Sequence, residues 1–244
     1  MLNTSLSYHD ILGRLASEMK FYHTTGTIIQ RTAWLPLRAI FLVFMGLEVR
    51  GLENVKQLYT SVIFAGNHAN DLDPLIIVSC LPWFSKHVPL IFVSRERKFY
   101  GKLGWRKYIY GGQFFKLMGA LQAYTGLNNY EKALVHHLEA LECKRSVCIF
   151  PVGKKHLDTD IHGAKGGVSY LAKKTGVPIV PVRITRTENK YSQDFWKRKR
   201  KLRVTFGKPI SYEELLTSVR VLGSAEKNYE KASVILMGRI VELG

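Results

Sequence analysis

One histidine and one aspartate, His68 and Asp73, stand five positions apart in the segment NHANDLD, directly after the apolar run SVIFAG. A carboxylate that accepts a hydrogen bond from one imidazole nitrogen fixes the tautomer of the ring and makes the other nitrogen a better base. Such a base can take a proton from a hydroxyl group. On a continuous helix the two side chains would point roughly 140° apart. They can meet only if His68 lies in a loop and Asp73 begins the helix that follows.

Other interpretations of this segment stay open. Asp73 precedes Pro74, an order typical of a helix N-cap followed by proline at the first helical position, with no catalysis involved. A metal ion bound by His68, Asp71 and Asp73 is a weaker alternative, because no second histidine lies nearby, and we predict no metal site. The sequence has no Gly-x-Ser-x-Gly nucleophile motif. Chemistry without a covalent enzyme intermediate is therefore the simplest scheme.

The segments around the pair alternate between short apolar runs and helical stretches. We predict strands over residues 61–68, 88–94, 146–151, 177–184 and 201–207, and helices over 74–80, 127–142 and 166–175. Continuous apolar strands between helices indicate an α/β fold, with a mixed, mostly parallel sheet flanked by helices and buried on both faces. His68 would then lie at the carboxyl end of a strand, where ligands bind in open α/β sheets.

The first 48 residues differ from the rest of the chain and are predicted to form a separate helical element before an α/β domain over 49–244. Their longest uninterrupted apolar run, Ala39–Leu47, has nine residues, whereas a membrane-spanning helix needs about 20. Aromatic and basic residues are interleaved with apolar ones, which is typical of a helix lying in a membrane interface. Packing against the chain's own domain explains the same pattern equally well.

The charge balance predicts an anionic partner. The 244 residues include 36 Lys and Arg against 19 Asp and Glu, a net charge of +17. Nucleic acid, anionic lipid or a phosphorylated carrier would all be attracted. The most basic run, WKRKRKLR at 196–203, comes without a recognisable nucleic-acid-binding module, so we expect contact with an anionic membrane surface and no nucleic acid. A solvated loop is the alternative for that run.

Two smaller expectations concern cysteine and histidine. The three cysteines show no metal-type spacing. Cys143 and Cys148 lie in an apolar context, and we expect both to be small core residues in a reducing compartment. His136 and His137 fall on the helix predicted over 127–142, where we expect both at the surface.

Several segments, in the same order along the chain, resemble the glycerolipid acyltransferase family, which includes lysophosphatidic acid and glycerol-3-phosphate acyltransferases. The HxxxxD motif of that family is matched by His68 and Asp73. The matching segments are GLENV (51–55), NHANDLDP (67–74), VSRER (93–97), LMGALQAY (117–124), IFPVGKKH (149–156), KGGVSYLAKKTGVPIVPV (165–182) and VTFGKPI (204–210). The resemblance thus covers residues 51–210.

The resemblance implies a reaction and its substrates. His68 would activate the hydroxyl of a lysophospholipid-type acceptor, most simply lysophosphatidic acid, and Asp73 would orient His68. The acyl donor would be the thioester of acyl-CoA or acyl carrier protein, a cosubstrate, with no other cofactor. The enzyme would act in phospholipid biosynthesis or remodelling, as a peripheral, monotopic protein on the cytoplasmic face of a membrane.

The same resemblance implies substrate-binding residues. Arg95, Lys154 and Lys155 would bind the anionic head group of the acceptor, and Gly153 and its neighbours would supply hydrogen-bond donors to the oxyanion.

The chain departs from the family's pattern in two of these segments. Val152 replaces a glutamate, Lys154 and Lys155 replace a Thr-Arg pair, and Thr125 stands where the family has an arginine. The departures affect acceptor recognition rather than the His–Asp pair. Two alternatives therefore stay open: an acyltransferase acting on a different acceptor, and a non-catalytic relative that binds lipid or acyl groups.

Overall fold

The computed structural model describes residues 8–70, 72–94, 117–124, 129–153, 163–186, 201–217 and 225–244. The strands are β1 (Glu48–Arg50), β2 (Ile63–Gly66), β3 (Ile91–Ser94), β4 (Ala120–Gln122), β5 (Val147–Ile149), β6 (Ile179–Arg186) and β7 (Leu202–Phe206). The helices are α1 (Tyr8–Met45), α2 (Glu53–Lys56), α3 (Asp73–Cys80), α4 (Tyr130–Ala133), α5 (Val135–Glu142), α6 (Gly167–Thr175), α7 (Tyr212–Thr217) and α8 (Ala225–Glu242).

The described strands form one sheet in the order β1-β7-β6-β2-β5-β3-β4. All neighbouring pairs are parallel except β6 and β7. The predicted α/β fold with a mixed, mostly parallel sheet is therefore confirmed. Strand β2 lies between β5 and β6, both parallel to it, so the carboxyl ends of three strands meet where the segment NHANDLD begins.

Helices cover both faces of the sheet. Phe64 of β2 belongs to the core on the side of α1 and α3, whereas Ile63 and Ala65 belong to the core on the side of α5, α6 and α8. All three side chains are fully buried. Burial on both faces is the reason that these strands are continuously apolar rather than alternating.

Strands β1 and β4 and helices α7 and α8 were not predicted. Each of the two strands has only three residues, too few for a periodic pattern. Helix α8 does carry a pattern: its buried residues Ala232, Leu236 and Ile240 recur at the four-residue spacing of one helix face.

Helix α1 is packed on the domain along one face. Gln30, Trp34, Arg38 and Phe41 repeat every three or four residues, so they share one side of the helix. Gln30 Nε2 donates to two backbone carbonyls near the starts of β3 and β4, at 2.8 and 2.7 Å. The Trp34 indole and the Arg38 guanidinium donate to carbonyls at the end of α3, at 2.8 and 2.6 Å. Phe41 is buried.

Within α1, the 22 residues Thr24–Met45 have a mean hydropathy of 1.4 and are long and apolar enough, by length and composition, to cross a membrane. The prediction that no segment reaches this length is wrong on that criterion. The prediction considered only uninterrupted apolar runs. A membrane-spanning helix can also contain isolated Thr, Gln and Arg residues within an apolar stretch.

Of the two cysteines expected in the core, Cys148 is buried, whereas Cys143, directly after α5, is exposed and corrects that expectation.

His137 is fully buried where α5 packs against the sheet, which corrects the expectation that it lies at the surface. Burial, together with the neighbouring His136, lowers the pKa of His137 from 6.5 to about 4. The folded protein therefore holds this imidazole neutral, whereas the unfolded chain protonates it below pH 6.5. The stability that depends on neutral His137 is complete above that pH and is lost as pH falls toward 4.

We expect His137→Leu to reduce the acid sensitivity of the fold. The wild-type free energy of unfolding should fall between pH 7 and pH 4 by up to about 3 kcal/mol on account of His137. Denaturant unfolding at pH 7, 5 and 4 should show that much less pH dependence in the variant. His136→Leu, one residue away, should keep most of the wild-type pH dependence, because burial is the larger cause of the lowered pKa of His137. Equal pH dependence in wild type and His137→Leu would contradict the assignment.

Candidate active site

The loop that follows β2 is attached to the neighbouring strand by one side-chain amide. Asn67 is buried, its Nδ2 donates to the carbonyl of Ile184 at 2.9 Å, and its Oδ1 accepts from the Ile184 N–H at 2.7 Å. The amide thus continues the β2–β6 pairing one step past the last backbone pair. This attachment fixes where the next residue, His68, leaves the sheet.

The carboxylate of Asp73 organises the loop from inside. Its side chain is completely buried at the start of α3. Oδ2 accepts hydrogen bonds from His68 Nδ1 at 3.0 Å and from the backbone N–H groups of Ala69 and Asn70, both at 2.8 Å. The sequence thus places an acceptor where two loop amides and an imidazole converge. His68 and Asp73 meet as predicted; their catalytic role stays a prediction.

The interpretation of Asp73 as an N-cap is wrong. The N-cap of α3 is Leu72, and Asp73 is the first residue of the helix, next to Pro74. Its carboxylate bonds to the loop before the helix, as described above, and not to the first helical turn. The structural role of this carboxylate is therefore to fix the conformation of the loop rather than to cap the start of the helix.

Arg186, the last residue of β6, completes the surroundings of Asp73. Its guanidinium donates to Asp73 Oδ1, on the side of the carboxylate away from His68. Burial by itself would raise the pKa of Asp73, but the hydrogen bond from His68 and the charge of Arg186 outweigh it and lower the pKa. Asp73 is therefore ionised at neutral pH. A cation at this position also disfavours the alternative of a metal ion on the same carboxylate.

The arrangement leaves one nitrogen of His68 available for chemistry. Because Asp73 is an ionised acceptor, Nδ1 carries the hydrogen, and a neutral ring then has its lone pair on Nε2. The His68 side chain is 18% exposed. One face of the ring stacks on Phe150, with centroids 4.4 Å apart and planes inclined by 20°. The ring is thus held at Nδ1 and on one face, and part of the side chain stays exposed.

The Phe150 ring also packs closely over Gly66. A Cβ on Gly66 would lie 3.3 Å from the Phe150 ring. Neither Phe150 nor Arg186 was predicted as a site residue. Both side chains reach the site because β5 and β6 lie on either side of β2 in the sheet. Only the order of the strands would have indicated them, and this order is not visible in the sequence pattern.

The predicted substrate-binding residues divide into two groups. Gly153 lies four residues after β5, at the same sheet edge as His68, with a φ of +64°. Its N–H donates to the carbonyl of Phe150 at 3.0 Å, so this amide closes a turn and is not available to an oxyanion in this conformation. The others, Arg95, Lys154 and Lys155, lie outside the described residues, as do Asp71 and Thr125. Their roles stay predictions.

We expect Arg186→Gln to lower the free energy of unfolding at pH 7 by about 2 kcal/mol, the size of one charge-assisted hydrogen bond. Arg186 helps to lower the pKa of Asp73, and the ion pair exists only while Asp73 is ionised, so the difference from wild type should shrink as pH falls toward 3. Denaturant unfolding at pH 7, 5 and 3 would check this. Arg239→Gln, at an exposed arginine of α8, should match wild type; a difference between Arg186→Gln and wild type that does not change with pH would contradict the coupling.

A family model described as Acyltransferase matches residues 46–185, more than half of the chain, and includes the His68–Asp73 pair. A probable 1-acyl-sn-glycerol-3-phosphate acyltransferase of Mycoplasma pneumoniae is 25% identical over 154 residues, 61% of this chain and 53% of that protein. A chloroplastic 1-acyl-sn-glycerol-3-phosphate acyltransferase of Arabidopsis thaliana is 27% identical over 145 residues, 59% of this chain and 37% of that protein. The chain therefore spans about half, or less, of the length of these curated relatives.

The fold also resembles a solved structure. The crystal structure of PlsC, the 1-acyl-sn-glycerophosphate (LPA) acyltransferase of Thermotoga maritima, matches with a TM-score of 0.50 and 19% identity, covering 98% of this chain and 83% of that one. At this identity the likeness concerns the fold.

Proposed function

Because this chain belongs to the acyltransferase family, we propose that it transfers a fatty acyl chain from a thioester to the hydroxyl group of a lysophospholipid acceptor. Lysophosphatidic acid is the first candidate acceptor, since the relatives are named 1-acyl-sn-glycerol-3-phosphate acyltransferases. Acyl-CoA and acyl carrier protein are the two candidate donors. The observation that carries the proposal is the bond from His68 Nδ1 to buried, ionised Asp73, which leaves the lone pair of a partly exposed ring on Nε2.

The proposed reaction is a direct transfer. Nε2 of His68 takes the proton of the acceptor hydroxyl as its oxygen attacks the carbonyl carbon of the thioester. Asp73 stabilises the imidazolium that forms. The tetrahedral intermediate collapses, the carbon–sulfur bond breaks, and the imidazolium returns its proton to the leaving thiolate. The products are a new ester and a free thiol, and no resident metal or cofactor takes part.

Stabilisation of the oxyanion and of the acceptor's anionic head group belongs, in this proposal, to residues that follow β3 and β5. Arg95 comes directly after Ser94, the last residue of β3, and Lys154 and Lys155 directly after Gly153. In a parallel sheet these strands end at the same edge as β2. Lysines would act there as point charges, without the two-pronged geometry of arginine.

We propose further that the protein works on a membrane surface, at the cytoplasmic face, with α1 (the predicted 1–48 element) lying along it. The face of α1 turned away from the domain exposes large apolar side chains, among them Ile28 at 59% and Leu35 at 69%. Because the opposite face is bonded to the domain, a helix lying in the interface fits this arrangement better than one that leaves the domain to cross the bilayer. The net charge of +17 suits anionic lipid.

We expect the double variant Ile28→Glu, Leu35→Glu to bind anionic vesicles at least about tenfold more weakly, since two apolar contacts with lipid are lost and two like charges are added. Flotation with anionic and neutral vesicles over a salt series measures this. Val135→Glu changes an exposed apolar residue of α5 and serves as the control. Equal vesicle binding by wild type and the double variant would refute docking through this face.

The function itself is tested with a panel of substrates. Purified protein is incubated with acyl-CoA or acyl carrier protein thioester and, separately, lysophosphatidic acid, other lysophospholipids, monoacylglycerol and glycerol 3-phosphate. We expect release of free thiol that depends on an acceptor, with the acylated acceptor identified by mass spectrometry. Thiol release without an acceptor would indicate hydrolysis. Binding of thioester or lipid without turnover would favour the non-catalytic alternative, and either result overturns the proposal.

A further inference from the structure

A pocket of about 150 Å³ opens at Arg186, where the carboxyl end of β6 meets the starts of β7 and β1. We call it the β6–β7 pocket. Its walls include Glu48, Thr185, Arg186, Lys201 and Arg203. Three of these five side chains are cationic. The pocket is large enough for a group of several non-hydrogen atoms, such as a phosphate.

The positive charge of this pocket exceeds its negative charge. Glu48 is the only carboxylate among the described lining residues, and it already accepts from Arg203 Nε at 2.9 Å and from Arg50 Nε at 2.6 Å. Arg186 is bonded to Asp73. Lys201 is exposed and forms no ion pair with any described residue. Together, four cations face two carboxylates, which leaves an excess that favours an anion.

Recognition of an anion in this pocket rests on its cations. Thr185 also lines the pocket, but its Oγ1 atom is enclosed, so this hydroxyl is not presented to a ligand. A group with several acceptor oxygens and a negative charge matches the cations around the pocket.

Arg186 joins this pocket to the site of reaction. Its guanidinium donates to Asp73, and the same residue lines the pocket. The pocket and the His–Asp pair are therefore connected through one side chain. We infer that the β6–β7 pocket binds a phosphate group of a substrate, either the phosphate of the acceptor or a phosphate of the thioester carrier. The assignment of this phosphate to a substrate rests on the proposed acyl transfer. Phosphate binding by the pocket does not depend on that proposal.

Binding of inorganic phosphate tests the pocket without reference to activity. Lys201 and Lys208 are exposed lysines at opposite ends of β7, so Lys201→Gln and Lys208→Gln make the same change at opposite edges of the sheet. Calorimetric titration of the full chain at low salt should give a dissociation constant about tenfold higher for Lys201→Gln than for wild type, the effect of one charge-assisted hydrogen bond. Lys208→Gln and Lys201→Arg should match wild type. No saturable binding, or equal constants in wild type and Lys201→Gln, would overturn the site.

Kinetics then identify the source of the phosphate. If the site holds the acceptor, Lys201→Gln should raise KM about tenfold for lysophosphatidic acid and not for monoacylglycerol. If it holds the donor, KM should rise for acyl-CoA and not for its analogue without the 3′-phosphate. Unchanged KM values for every substrate would overturn the substrate assignment. Phosphate binding by a protein that transfers no acyl group to any acceptor would overturn the acyltransferase proposal and leave the anion site standing.

Discussion

The His68→Ala protein is expected to keep its fold and to transfer acyl groups at least about 10³-fold more slowly than wild type, within the range typical of a lost general base. Without the imidazole no group at this position can take the proton from the acceptor hydroxyl. The side chain is only partly buried, and its contacts are a stacked ring and one hydrogen bond. We therefore expect the loss to fall on the rate rather than on folding.

Steady-state thiol release with lysophosphatidic acid and acyl-CoA measures the effect, and circular dichroism and thermal unfolding check the fold. His136→Ala is the control, because it removes an imidazole that lies on α5 and bonds Tyr124, away from Asp73. A His68→Ala protein that is folded and retains a tenth or more of the wild-type rate would exclude His68 as the base.

Asp73→Asn should have an effect of similar size, a fall of about 10³- to 10⁴-fold in rate, as when the carboxylate behind a catalytic histidine is replaced by an amide. An asparagine amide is neutral, so it does not stabilise the imidazolium. Its nitrogen cannot accept from Arg186 or from the loop amides. Here the variant should also be less stable, because the guanidinium of Arg186 loses its counterion while it is only 20% exposed.

Rate and stability can be separated by assaying Asp73→Asn well below its own unfolding temperature. Glu242→Gln makes the same carboxylate-to-amide change at an exposed ion pair with Arg239 on α8 and should leave both quantities unchanged. A folded Asp73→Asn protein with near wild-type turnover would show that the carboxylate only shapes the loop.

The reacting pair could be predicted from the sequence because the features that bring its two side chains together are local. His68 and Asp73 are close along the chain, and a loop between an apolar strand and a proline-initiated helix can bring them together. Arg186 was missed because its contact with Asp73 spans 113 positions. It depends on β6 lying next to β2, and strand order cannot be read from apolar runs. Phe150 was missed for the same reason, since β5 is the other neighbour of β2.

Burial of polar residues was also hard to predict. His137 follows His136 on an amphipathic helix, and only the packing of α5 on the sheet decides which of the two is enclosed. The apolar stretch within α1 was underestimated because Arg38 interrupts the apolar run, although this side chain bonds the helix to the domain. In both cases tertiary contacts, absent from local pattern, determined the outcome.

The most direct test of the account is the pH dependence of kcat/KM for acyl transfer in wild type and of the residual activity in His68→Ala. If the neutral imidazole takes the proton, the wild-type rate should fall tenfold per pH unit along a single acidic limb. That limb should be missing from the residual activity of the variant. If the variant retains the same limb at the same pH, another group titrates with the reaction, and His68 is not the base.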